Sequence, residues 1–486
     1  MEYLYLVKSF PVREYCISRS LLNKQQCQFD IICATFSQRN FIDVTELQAK
    51  KQVFSKIYNF VEFAKVKLET NIRDISNKLN KYEEEYNIPV NFALHADRYI
   101  VNHTELRRRQ KLCLLIEFAV NIFQKQKINA VFGELSSASD IIFYYLAKKF
   151  NIPYIFFWHG RIKNRIEFSS LEGKRLGLAA IYNSKKKKGL TLEEEQIVNH
   201  YIASFFDKES NLISPDYMKF ADTTQLKQLF KKTYHEGSIK RFFKYCRSYY
   251  YDSKWSADMD PSISLKLKHR LNKITFVFRK AILNKYFQSS CIEDRYYLFP
   301  LHYQPEASTM TFAQDYLNQL AFIENIVKHL PAGAYLYVKE HPAMMAYREI
   351  AFYRQLVKLP NVKLISPNET IRDLILNSQG IITLTSTTGY EAIIYDKPVF
   401  VFGNVFYNEY DYVIKCKSFN NLLYCFNDVS NKWKFDFDLR QINKKYFIYA
   451  CLSSLKPGNL NYHVYDYTVL NEDNLSKIAA AVNITL

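Results

Sequence analysis

Four short stretches carry the side chains that could do chemistry. HYQPEAST, residues 302–309, sets a His, a Tyr, a Gln, a Glu, a Ser and a Thr behind the apolar run YYLFPL. KEHP follows AYLYV and places a cation and an imidazole close together as Lys339 and His341, with Arg348 downstream. TSTTGYEA, residues 385–392, sets four hydroxyls and a glycine between an apolar run and a helical pattern. VFGELSSASD, residues 131–140, puts Glu134 just past an apolar run and Asp140 in the helix that follows.

These residue types suit the handling of an activated phosphate ester. Hydroxyls at a strand-to-helix turn cap the helix, with Ser386 or Thr387 as the cap. The free N–H groups of the first turn then face outward at the positive end of the helix dipole and can take a phosphate. Ser386, Thr387, Thr388 and Gly389 are the candidates for that contact; an ordinary cap without a ligand is the plainer alternative. Lys339 can neutralise a phosphate oxygen and His341 can donate to one, while Pro342 stops the strand and fixes His341 at its end. Glu391, expected in the first turn of a helix starting near Gly389, either answers the dipole or accepts from a ribose hydroxyl. His302, Gln304 and Glu306 are expected to face a sugar or an acceptor, with Glu306 equally readable as a turn carboxylate. Glu134 or Asp140 fits a general base or a nucleophile, or else a helix N-terminal charge. Beyond the next apolar run, WHGRIKNR offers His159, Arg161 and Arg165 to an anionic donor or acceptor. Phosphate loops of the GxGxxG and Walker types, HExxH and GxSxG are absent from the sequence, and there is no clear DxD metal motif.

The elements that must position these residues alternate between strand and helix. Strands are expected at residues 296–302, 334–339, 362–365, 380–385 and 398–402, with helices at 311–330, 345–358, 371–377 and 389–395. Short connections between them predict a parallel sheet covered on both faces. The first half repeats the grammar more faintly, with strands at 30–34, 130–132 and 153–157 and a helix at 137–150. The expected domains are 1–215, an α/β domain; 216–290, a basic and mainly helical connection; 291–425, a second α/β domain; and 426–486, a segment that packs back on the first domain. In open parallel sheets ligands bind beyond the carboxyl ends of the strands, so the four stretches are expected to share rims.

Length and composition agree with this reading. The 486 residues are 48% hydrophobic, enough for two or three ordinary cores. Nine scattered cysteines form no CxxC pair, which fits reduced thiols and argues against a zinc site. The N-terminal apolar run is broken by Lys8 and Arg13 and does not read as a signal peptide. A net charge of +18 points to polyanions, and residues 227–285 hold fifteen Lys and Arg against four acidic residues. A membrane-surface patch or a solvated helical face accounts for that run; nucleic acid is disfavoured, because no recognition motif accompanies it.

Taken in order, FPLHYQPEAST, KEHP with its downstream Arg, and STTGYEAIIYDKPVFVFG resemble the bacterial capsular polysaccharide biosynthesis family, over roughly residues 290–410. That family includes β-Kdo transferases. The HP and Ser/Thr motifs are also similar to those of bacterial sialyltransferases. The resemblance implies two Rossmann-like α/β domains facing a cleft, the glycosyltransferase B architecture, with residues 1–215 as the acceptor domain and 291–425 as the nucleotide-sugar domain, and no metal or other cofactor. It implies that His341 and Pro342 contact the nucleotide of a CMP-sugar and that Ser386, Thr387 and Thr388 contact its phosphate. The expected protein is therefore a cytoplasmic glycosyltransferase, peripheral at the membrane, that moves Kdo or another acidic sugar from a CMP donor to a glycan or glycolipid. A CDP-glycerol-type glycerophosphotransferase and a non-catalytic assembly or export component are the rivals.

Overall fold

The computed structural model describes residues 2–7, 30–51, 54–66, 72–160, 162, 164–206, 276–341, 344–345, 348–459 and 471–485. Most of the basic run at 227–285 lies outside the described residues, as do Arg161 and Pro342. By its contacts the chain forms two compact units. Among the described residues, one is drawn from Met1–Ser169 and Leu455–Leu486, the other from Ser170–Ser214 and Ile263–Ser454. The described N-terminal stretch of the first unit runs to Ser169. The tail expected at 426–486 is divided, with only the part from Leu455 onward in the first unit.

In the first unit the strands are β1 (Glu2–Val7), β2 (Asp30–Thr35), β3 (Lys56–Asn59), β4 (Ile128–Gly133), β5 (Tyr154–His159), β6 (Arg165–Ser169) and β13 (Lys456–Pro457). They form one sheet in the order β13-β6-β5-β4-β1-β2-β3, parallel from β5 to β3, with β6 and β13 added antiparallel at one edge. The central strands read as nearly unbroken apolar runs because both faces are covered. Leu4, Leu6, Ile32, Ala34 and Val131 pack on one side against helices that include Glu105–Lys125 and Ala138–Lys149. Tyr3, Tyr5, Ile31, Cys33, Ala130 and Phe132 pack on the other, where Leu475, Ile478 and Ala481 of the Glu472–Thr485 helix join them.

The second unit carries β7 (Tyr296–Pro300), β8 (Tyr335–Lys339), β9 (Val362–Ile365), β10 (Gly380–Thr383), β11 (Val399–Val401) and β12 (Val413–Lys415). All six are parallel, in the order β12-β11-β10-β7-β8-β9. The chain lays down β7, β8 and β9 outward in one direction, then returns to the other side of β7 for β10, β11 and β12. That is the doubly wound order, and the two halves part between β7 and β10. The first unit follows the same plan, with its reversal between β1 and β4. The expected pair of Rossmann-like domains is what the chain forms.

One expected helix is interrupted. The apolar spacing at 311–330 predicts a single helix, but the chain makes Ala307–Met310, a short 3₁₀ turn at Gln314–Tyr316 and then Gln319–Val327. Asn318 ends the irregular stretch by capping the last helix, its side chain accepting from the Ala321 N–H at 3.1 Å.

Candidate functional site

The helix after β10 starts two residues earlier than its glycine suggests. Ser386 is its cap, with Oγ accepting from the Thr388 N–H at 3.2 Å, and the helix runs Thr387–Ile394. The Ser386 N–H donates to Thr383 Oγ1 at 3.0 Å, which fixes the turn to the strand it leaves. Thr387 opens the helix half-buried, and its hydroxyl has no partner among the described residues. Gly389 has a packing reason. A Cβ there would stand 2.6 Å from the Tyr407 hydroxyl, which itself donates to the Ser386 carbonyl at 2.7 Å. Glu391 consequently falls in the second turn, half-buried, where burial pushes its carboxyl up to about 7.

His302 sits where β7 gives way to its loop and is buried. Its Nε2 accepts from the Thr385 N–H at 3.1 Å, so a single hydrogen bond spans the point where the strand order reverses. Burial, His341 and Arg348 together hold the imidazole down to about 3, which keeps it neutral. The proton then belongs on Nδ1, an atom with no partner among the described residues. Thr385 is tied back to the same loop, its hydroxyl donating to the Ser308 carbonyl at 2.9 Å. Gly403, beyond β11, packs so close that a Cβ would meet the Leu384 carbonyl oxygen at 2.6 Å. The ends of β7, β8, β10 and β11 thus line one edge of one sheet, as the four stretches require.

Two residues expected to face a sugar are engaged inside the loop. Gln304 donates to the Leu317 carbonyl at 2.9 Å and accepts from Gln319 Nε2 at 2.7 Å. Glu306 precedes the short 307–310 helix and accepts from the Ser308 hydroxyl at 2.9 Å.

Beyond β8 the outcome is mixed. Lys339 is buried and turns its ammonium to the carbonyls of Ser366 and Pro367, at 3.3 and 3.0 Å. Burial lowers it to about 8. Its partners belong to the loop after β9, so the strand spacing that suggested a phosphate cation misjudged where it points. His341 is half-buried and lies edge-on to the Tyr303 ring, with 5.8 Å between centroids. Burial, with Arg348 and Lys339 nearby, holds it down to about 4, so it too is neutral near pH 7. Glu340, Arg348 and Tyr353, none of them among the expected site residues, form a buried hydrogen-bonded group behind it.

In the first unit Glu134 stands just past β4, at the reversal point of its own sheet. It is buried and accepts from the Ser136 hydroxyl at 3.1 Å. Asp140 is fully buried and accepts from the Ser136 N–H at 2.9 Å, from the Ser136 hydroxyl and from the Ser137 hydroxyl. Those bonds make Asp140 a brace of the loop. Sequence reasoning missed Asp97, whose carboxylate accepts from the N–H groups of Tyr99, Ile100 and Ala138 at 2.8, 2.8 and 2.9 Å. It also missed Arg98, which lies within electrostatic range of Glu134. The mark of both was the short DR pair in a run of otherwise weak pattern. His159 ends β5, and Arg165 opens β6 exposed, its backbone closing the 160–165 turn.

Residues 273–410 match a family model described as "Capsule polysaccharide biosynthesis protein". A curated relative, the "Capsule polysaccharide export protein KpsS" of Escherichia coli, is 27% identical over 129 residues, which cover 24% of this chain and 32% of that protein. The matched part is therefore about a third of the relative's length. Among solved structures, the β-Kdo 2,7 transferase of Thermosulfurimonas dismutans KpsC aligns over 99% of this chain and 100% of its own, at 11% identity and a TM-score of 0.38. The β-Kdo 2,4 transferase of the same KpsC aligns over 62% and 80%, at 14% identity and a TM-score of 0.31. No helix among the described residues is long and apolar enough to cross a membrane.

Proposed function

We propose that this protein is a glycosyltransferase of surface polysaccharide synthesis, with a nucleotide-linked acidic sugar as donor, CMP-Kdo favoured, and a glycan or glycolipid as acceptor. One observation carries the reading. At the reversal point of the second sheet a helix start is capped by the neutral Ser386 hydroxyl, with the Thr387 hydroxyl at its opening, and lies one hydrogen bond from His302. Such a helix start keeps its positive end available for a phosphate.

In this reading the Thr387–Ile394 helix start takes the phosphate and neutral His341 donates to one of its oxygens. An acceptor hydroxyl attacks the anomeric carbon, the bond from that carbon to the phosphate oxygen breaks, and the nucleotide monophosphate leaves with the electron pair. Donors already aimed at the departing phosphate stabilise the charge it gains. Glu134 is the candidate to accept the proton of the incoming hydroxyl. Glu391, without a cation partner among the described residues, remains the candidate for a ribose hydroxyl. The work is placed at the inner membrane face, where the surplus positive charge holds the protein near anionic lipid or an acidic glycan.

The first test is transfer from CMP-Kdo with the His341→Ala variant, where at least a hundredfold loss with an unchanged melting temperature is expected. Full activity in that variant sinks the assignment. UDP-sugars and CDP-glycerol, run in parallel, separate the donor classes. The name of the E. coli relative favours a second reading, an export or assembly component, and absence of any nucleotide binding by calorimetry would decide for it.

A further inference from the structure

The carboxylate beside His341 is buried and fully engaged. Glu340 is 1% exposed. Its Oε1 accepts from the backbone N–H of His341 at 2.6 Å. Its Oε2 accepts from Arg348 Nε at 2.8 Å and from the Tyr353 hydroxyl at 2.6 Å. Arg348 sends Nη2 to the His302 carbonyl at 3.0 Å and lies over the Phe352 ring. The Arg348 carbonyl in turn accepts from Arg279, on the Phe276–Asn284 helix. One chain of charged hydrogen bonds therefore runs from the His341 backbone to the His302 backbone, and the His302 ring continues it to Thr385.

Stability alone is a poor reason for such an arrangement, because apolar side chains of the same volume often serve as well as a buried ion pair. What the pair adds is geometry. We infer that Glu340 and Arg348 are positioning residues, which hold His341 at a fixed place relative to the junction of β7 and β10 so that its imidazole meets the phosphate there. The inference rests on the nucleotide reading above.

Glu340→Gln is the informative substitution. A carboxylate accepts at both oxygens, whereas an amide accepts at one and donates at the other. The Arg348 guanidinium can only donate, so the Gln oxygen must turn to it. The amide NH₂ then faces the His341 N–H, donor against donor, and the loop is released while the fold keeps its shape. Arg348→Lys is the second variant; it keeps the charge but lacks the fork that reaches Glu340 and His302 together.

The readouts are hydrogen exchange at the His341 amide and CMP affinity by calorimetry, each also measured in a His341→Ala background. Faster exchange is expected in both variants, with CMP binding weaker by about 10- to 100-fold. In the His341→Ala background the same substitutions should cost nothing further. Unchanged exchange and affinity overturn the inference. So does an equal loss with and without the imidazole, which would mean general loosening. Faster exchange, with CMP affinity indifferent to every substitution including His341→Ala, leaves the clamp standing and overturns the nucleotide reading instead.

Discussion

The two sheets share a strand order and differ in what they place at the reversal point. In the first, the helix beyond β4 begins in the protein's own negative charge. Asp97 accepts the Ala138 N–H, and Asp140 accepts from the Ser136 N–H and from two hydroxyls. In the second, the helix beyond β10 begins at Ser386, a neutral cap, and the preceding Thr385 N–H donates to the neutral His302. A helix start already answered by carboxylates repels another anion, while one capped by hydroxyls invites it. Topology brings both rims to the same kind of place. On the proposed reading, the cap chemistry makes the second rim the better place for a phosphate.

That division can be broken. The largest effect is expected for Glu134→Gln, a fall in kcat of roughly 10²–10⁴ with CMP affinity unchanged, as for loss of a general base; a fall in CMP affinity instead would show that the rims do not divide the work. Next comes Gly389→Ala. Its methyl meets the Tyr407 hydroxyl, and overpacking of this kind costs about 1–3 kcal/mol in unfolding experiments. Ser386 then permits an exchange of solutions between the sheets. Ser386→Ala should cost about 0.5–2 kcal/mol as a lost cap. Ser386→Asp restores a cap and the stability, yet should weaken CMP more than alanine does, because it imports the first sheet's charge. Equal affinities for the two variants would refute the comparison.

The smallest effect is on pH. His302 and His341 have folded values of about 3 and 4, below the ordinary 6.5 of an unfolded chain. Between those limits the unfolded chain binds more protons, so their contribution is complete above pH 6.5 and is lost as pH falls toward 4 and 3. Glu391 works the other way. Its folded value of about 7 lies above the unfolded 4.5, so its share of stability grows as pH falls from 7 toward 4.5. Thermal unfolding from pH 7.5 to 4.5 should give a shallower slope for His302→Asn than for the parent, and a steeper one for Glu391→Gln.

The second sheet was the more legible in sequence because its strands are short continuous apolar runs with turn residues between them. Strands at 362–365 and 380–383 fall where the pattern puts them. The central strand of the first sheet, EYLYLV, was not recognised, since one acidic residue and two tyrosines dilute its signal although it is buried on both faces. At the site, the residue types at the rim could be read but not their directions. Lys339 and His341 stand two apart in one motif, yet Lys339 turns away to the loop carbonyls after β9. Glu340, unremarked between them, is the carboxylate that accepts the His341 N–H. Its partners, eight and thirteen positions on, are joined to it by the fold and by no local pattern.

The Glu472–Thr485 helix brings one further consequence. It supplies Leu475, Ile478 and Ala481 to a face of the first sheet whose strands begin at residue 2, and the whole second sheet is encoded between them. A chain growing from the ribosome must therefore carry that face partly bare while some 300 further residues are made. The second unit, continuous from β7 to β12, can close its own sheet first. The unit whose strands come earlier in the sequence thus receives a covering helix encoded after the whole second sheet, and a chain cut before Leu475 would leave Tyr3, Tyr5 and Phe132 less covered.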